Sequence, residues 1–150
     1  MAASISNTLV GISGEYYVAA ELSQRGYVAS VTLRNTEGID ILASNKDASR
    51  SVAIQVKTNR GYGKSWLISR KNENRYKENF FYVFVSLKEL GQRPDFHIVQ
   101  SKTVAKDISE RHKRYLSTSG RGGKPHKDNP MRVFKDLSDE YLEKWELLSL

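Results

Sequence analysis

At 150 residues the chain is long enough for one domain with its own core, and without cysteine it has no disulfide, thiolate metal site or cysteine nucleophile. Its formal net charge of +7 suits a polyanionic partner. No run approaches about 18 apolar residues, and the N-terminus lacks a basic stretch followed by an apolar one, so a cytoplasmic protein with no membrane segment is expected.

Residues 8–25 read as a first helix, with Thr8 or Asn7 as cap and Gly26 just past its end. Val18 and Leu22 mark its inward stripe, Glu15 shares that stripe, and Gly14 permits a close backbone approach. A strand is expected near 27–34, then a hairpin of strands 38–45 and 51–58 with 46–49 as its loop. Matching the apolar faces sets Ile39 opposite Val56, Ile41 opposite Ile54 and Ala43 opposite Val52. The glycine-rich stretch 59–63 leads into a strand at 65–69, and 70–79 is polar, a loop or one short helix. Residues 80–87 form a near-continuous apolar run, the mark of a strand buried on both faces, and 95–100 form another. Ser101 is the expected cap of a helix to about 116, with Val104, Ile108 and Tyr115 at helical spacing. Residues 117–130 suit a basic flexible loop, and Ser138 opens a last helix with Tyr141, Trp145 and Leu148 on one face. Tyr16, Tyr17 and Phe80 are counted with the core. Trp66 is assigned there too, whereas Tyr62 is a surface candidate for stacking on a base. The whole predicts an α/β fold, one domain around a central sheet.

Within the hairpin, Asp40, Gln55 and Lys57 interrupt apolar strands, where desolvating a charge costs several kcal/mol, in order-of-magnitude terms. The register puts Asp40 across from Gln55, with Cβ atoms about 4.5–5.5 Å apart. Lys57 shares the face, roughly 7 Å further along. A carboxylate, an amide and an ammonium so gathered point to a metal-assisted hydrolytic site, with one divalent ion within reach of Asp40 and Gln55. For Glu15 a solvated glutamate favouring the helix dipole is the competing reading.

The order Glu15, Gly38-Ile39-Asp40, Ile54-Gln55-Val56-Lys57 resembles the PD-(D/E)XK nuclease superfamily. Here Gln55 stands at the middle acidic position, as in modification-dependent restriction enzymes, and no proline precedes Asp40. The later chain is similar to small stand-alone bacterial members, some of them intron-encoded homing endonucleases. The resemblance implies a restriction-endonuclease-like core, a central mixed β-sheet flanked by helices, and Mg2+-dependent endonuclease activity on DNA, with Mn2+ as a substitute. Asp40 would bind the metal, Glu15, Gln55 and the Val56 carbonyl would complete or orient its shell, and Lys57 would act beside it. The biological role is expected to be site-specific cleavage of the homing or restriction kind. The alternatives are DNA repair, Holliday-junction resolution, a non-cleaving DNA-binding protein of the same fold, or a structural or RNA-binding partner.

Charge is unevenly spread. Residues 57–77 hold seven basic groups and one acid, and residues 111–135 hold eight and one. Two basic segments on an otherwise acidic body suit phosphate contact. The candidates are Arg60, Tyr62, Lys64, Arg70, Lys71 and Arg75 in the first, and Arg121, Lys124, His126 and Lys127 in the second. His97, His112 and His126 have no zinc-ligand spacing, and neither a G-x-S-x-G nor a Walker A sequence occurs. Cutting both strands from one small site implies a homodimer or a higher symmetric homo-oligomer.

Overall fold

The computed structural model describes residues 4–33, 36–61 and 63–150. Helix α1 (Asn7–Gln24) is followed by strands β1 (Val28–Val31), β2 (Ile41–Ser44), β3 (Ser51–Arg60) and β4 (Ser65–Ser69). A 3-10 turn (Arg70–Asn74) leads into β5 (Phe80–Leu87) and β6 (Asp95–Gln100), then α2 (Ser101–Ser117) and β7 (Met131–Lys135). The central sheet has the order β1-β2-β3-β5-β6, with β3 and β5 parallel and every other pair antiparallel. This is the mixed α/β architecture expected, and over Ile41–Ser44 the hairpin register is the expected one, Ile41 opposite Ile54 and Ala43 opposite Val52. The expected pairs Ile39–Val56 and Asp40–Gln55 do not form: the Val56 N–H is taken by the Asp40 side chain, and Ile39 packs with Ala53 on the cluster of Tyr82 and Phe84, away from Val56.

Two apolar cores lie on the two faces of that sheet. Val18 and Leu22 of α1 pack on Ile41, Ile54, Val56 and Val83, together with Trp145 and Leu148 from the chain end. On the opposite face Tyr82 and Phe84 meet Val104 and Ile108 of α2, and Trp66, Ile68 and Phe134. Strand β5 is buried along its whole length because both cores cover it. Gly14 permits a close approach of α1 to β3, since a Cβ there would collide with the Thr58 side chain.

Several local expectations are corrected. Ser6 caps α1, its hydroxyl accepting from the Leu9 N–H at 3.3 Å, in place of Thr8 or Asn7. Gln100 caps α2, and the Ser101 hydroxyl instead donates to the Lys77 carbonyl at 2.9 Å. Tyr16 and Tyr17 are 63% and 43% exposed on the outer side of α1.

No α-helix follows Ser138. Residues 136–144 turn through positive φ at Asp139 and Glu143 and give their hydrogen bonds to the edge of β6. The Ile98 N–H donates to the Tyr141 carbonyl at 3.0 Å, and the Glu143 N–H to the Phe96 carbonyl at 2.8 Å. Asp136 anchors the turn, accepting from the Glu140 and Tyr141 N–H groups at 2.9 Å each and from buried His97 at 2.7 Å. An edge strand with unpaired backbone groups thus outcompetes helix formation. Trp145 and Leu148 are buried in the chain's own core, in a short 3-10 turn (Trp145–Leu148), so they offer no subunit interface.

Strand β7 was not anticipated. It pairs antiparallel with β4 as a separate two-stranded ribbon, and inward-facing Arg132 is buried by an ion pair with Glu73. The basic stretch before it is folded back on α2: Asp128 meets His112 at 2.7 Å, and the His126 ring stacks 3.9 Å from that of Tyr115.

Candidate active site

Asp40 marks the point where β2 and β3 part. Its N–H donates to the Ile54 carbonyl at 2.9 Å, one residue out of the register in which Ile41 faces Ile54, while its C=O accepts from the Thr32 N–H at 2.9 Å. One step on, the side chain replaces the backbone partner, and the Val56 N–H donates to Asp40 Oδ2 at 2.7 Å. In an extended strand the N–H and C=O of one residue face the same edge, so the Val56 carbonyl faces the gap that holds this carboxylate. Beyond Asp40 the strand β3 continues to Arg60, paired with β5 alone.

Gln55 and Lys57 line an open cleft of about 400 Å³, walled by Glu37, Gly38, Ser69, Lys71, Asn72 and Arg75. The far wall is fixed by hydrogen bonds. Buried Asn72 accepts from the Tyr82 hydroxyl at 2.7 Å and donates to the Ser69 carbonyl at 3.1 Å. Burial raises the Tyr82 phenol well above its ordinary value, so it remains a neutral donor. Arg75 donates to the Glu37 carbonyl at 3.2 Å and lies over the Phe80 ring at 4.9 Å. Its guanidinium occupies the space a Cβ on Gly38 would need, and Gly38 has a φ of +68°.

The electrostatics are those of a desolvated site. Burial pushes the Asp40 carboxyl up, opposed by the Val56 N–H, Lys57 and Arg75. Burial pushes the Lys57 ammonium down; Asp40 opposes this and Arg75 adds to it. Most telling is Gln55, whose Oε1 is buried and has no hydrogen-bond partner among the described residues. Such an orphan costs about 1–3 kcal/mol, which a native fold tolerates where a ligand completes it. Asp40, Gln55 Oε1 and the Val56 carbonyl are all hard oxygen donors, the set a Mg2+-like cation takes. Among the described residues no cluster of three or more His, Cys, Asp or Glu side chains forms.

Other candidates are dispersed. Glu15 is half-buried on α1, one residue past the Gly14–Thr58 contact, and α1 packs on the face opposite Gln55 and Lys57. Lys71 and Arg75 stand in the cleft wall, with Arg70 at the start of the same turn. Arg60 lines a different cavity with Ile5, Tyr17 and Leu87. Lys64 is paired with Asp139 at 2.7 Å. Arg121, Lys124 and Lys127 are exposed, whereas His126 is half-buried in its stack on Tyr115. Tyr62 lies outside the described residues. Asn72, Tyr82 and the Glu37–Gly38 backbone were not singled out as site residues: the first sits in an aperiodic polar run, and Tyr82 reads as core.

The sheet order, the single parallel pair and the helices on both faces define a mixed α/β fold of the kind found in nucleases. It aligns with a bacterial homing endonuclease, I-Ssp6803I, at a TM-score of 0.57 and 15% identity, over 97% of this chain and 94% of that one. It also aligns with Hjc, a Holliday junction resolvase from the archaeal hyperthermophile Archaeoglobus fulgidus, at a TM-score of 0.51 and 11% identity, over 91% and 92%. No protein-family model matches the chain, and no curated protein matches its sequence.

Proposed function

We propose that this chain is a divalent-metal-dependent endodeoxyribonuclease that cuts duplex DNA site-specifically, in the manner of a homing or restriction enzyme. The observation that carries the reading is the orphaned Gln55 Oε1 in the cleft that half-buried Lys57 also lines, with Asp40 held by the neighbouring Val56 N–H and interacting with Lys57, in a fold shared with two nucleases. Asp40, Gln55 and the Val56 carbonyl would hold Mg2+, with Mn2+ as a substitute, and Glu15 would orient the shell from the α1 side. When bound, such an ion supplies neutralising charge at the phosphate and a nucleophilic water at neutral pH.

The remaining work falls to side chains of the cleft. The Val56 N–H fixes the Asp40 carboxylate, so its free oxygen is held in one orientation. Lys57, poorly solvated and beside Asp40, donates to a non-bridging phosphate oxygen and stabilises the charge that grows as water oxygen bonds to phosphorus. The attacking water gives up a proton to solvent, the bond from phosphorus to the leaving sugar oxygen breaks, and that oxygen takes a proton from solvent. Lys71 and Arg75 hold flanking phosphate oxygens. Cutting two strands with one cleft per chain calls for a homodimer or a higher symmetric assembly, which light scattering at micromolar concentration reads directly.

The test is metal dependence. Supercoiled plasmid and a synthetic four-way junction are incubated with the protein in Mg2+, in Mn2+ and in chelator. Cutting of the plasmid with either ion and none in chelator is expected. Equal cutting in chelator, or none with any ion, contradicts the proposal; cutting of the junction alone replaces duplex cleavage with junction resolution.

A further inference from the structure

The ribbon β4–β7 joins what the sequence keeps apart. Strand β4 lies inside the first basic segment and β7 inside the second, so their pairing sets both on one structure. One side of the ribbon, with Trp66, Ile68 and Phe134, is buried in the core. The pairs Ser65–Lys135, Leu67–Val133 and Ser69–Met131 share the other side. There Leu67 is 64% and Met131 47% exposed, an apolar stripe on a surface rich in cations. Among the described residues Arg70, Lys71, Lys124, Lys127 and Lys135 form no ion pair. Ser69, at one end of the ribbon, also lines the cleft with Lys57.

We infer that this outward face is a sequence-reading surface that enters the DNA major groove beside the scissile phosphate. The inference rests on the nuclease reading for its ligand. A two-stranded ribbon fits the major groove, and side chains of these types have partners there. Leu67, Val133 and Met131 contact the C5-methyl groups of thymine, Lys135 the O6 and N7 of guanine, and Ser65 and Ser69 either donors or acceptors. From Ser65 to Ser69 the strand advances about 14 Å, or roughly four base-pair steps at 3.4 Å. The face therefore reads a contiguous block of about four base pairs. A second copy of the chain is the wrong occupant, because a self-contact would bring the surrounding like charges together.

The test is a binding selection from a randomised duplex library in chelator, so that cutting plays no part. The wild-type protein should enrich a site containing a thymine-bearing block of about four base pairs. Leu67→Asn and Met131→Gln, both at exposed positions, should change or relax that block. Replacing a contacted thymine by uracil removes one methyl and should weaken wild-type binding about fourfold, and the Leu67→Asn protein less. No enrichment by the wild-type protein, an unchanged block in both variants, or a changed assembly state in Leu67→Asn overturns the inference. Ribbon variants that shift the block of a protein inactive in every metal would leave it standing and remove the nuclease reading instead.

Discussion

Asp40 and Lys57 are costly to the fold for the reason that would make them useful in the proposed hydrolytic site. A carboxyl raised by burial contributes stability below its ordinary value of 3.8, lost as pH rises through its folded value, so at neutral pH the ionised group destabilises. Asp40→Asn keeps an oxygen for the Val56 N–H and removes the charge. In metal-free protein it should raise the thermal midpoint, by about 2–4 °C for each kcal/mol relieved. The difference should shrink as pH falls towards 3.8, and a lower midpoint for the variant at pH 7 would show that the carboxylate is a structural counter-ion. Gln55→Glu adds a charge to the donor set and should tighten divalent-ion binding by calorimetry. An unchanged affinity would place position 55 outside the metal shell. These residues were legible in the sequence because charges inside alternating apolar strands have few structural uses. Asn72 and Tyr82 in the cleft wall were not, because nothing local ties a polar turn to a strand paired through distant residues.

Elements differ in the same way. The hairpin register followed from its apolar alternation, and the burial of β5 from its unbroken apolar run. A close approach at α1 was visible in Gly14 beside the inward stripe, whereas its partner, Thr58 of β3, was not. Gly14→Ala should lose about 1–2 kcal/mol in denaturant unfolding, because displacing Thr58 outweighs the gain in helix propensity. Thr58→Ala in the same chain should recover most of the loss, and a stabilised Gly14→Ala single variant would contradict the packing. The final segment and β7 escaped because their stability is borrowed. Residues 136–144 are fixed by the edge of β6 and by buried His97, and β7 carries Arg132 inward only because Glu73 meets it. Neither partner is adjacent in sequence, so local periodicity pointed to a helix in one case and to nothing in the other.

For the whole molecule, charge and assembly decide the behaviour. The ribbon unites two basic segments, so DNA affinity should fall steeply with salt, with a log–log slope of about −5 for six phosphate contacts. A slope near −1 would mean that these cations face solvent in the complex. The most direct measurement of the central claim separates binding from cutting. Wild-type protein, Asp40→Asn and Lys57→Ala are compared for DNA affinity in chelator and for single-turnover plasmid cleavage in Mg2+. The wild-type protein should cut, and both variants should bind within a fewfold of it and cut at least a hundredfold more slowly, on the order of the loss when a transition-state charge contact is removed. Undiminished cleavage by either folded variant would contradict a hydrolytic centre at Asp40, Gln55 and Lys57.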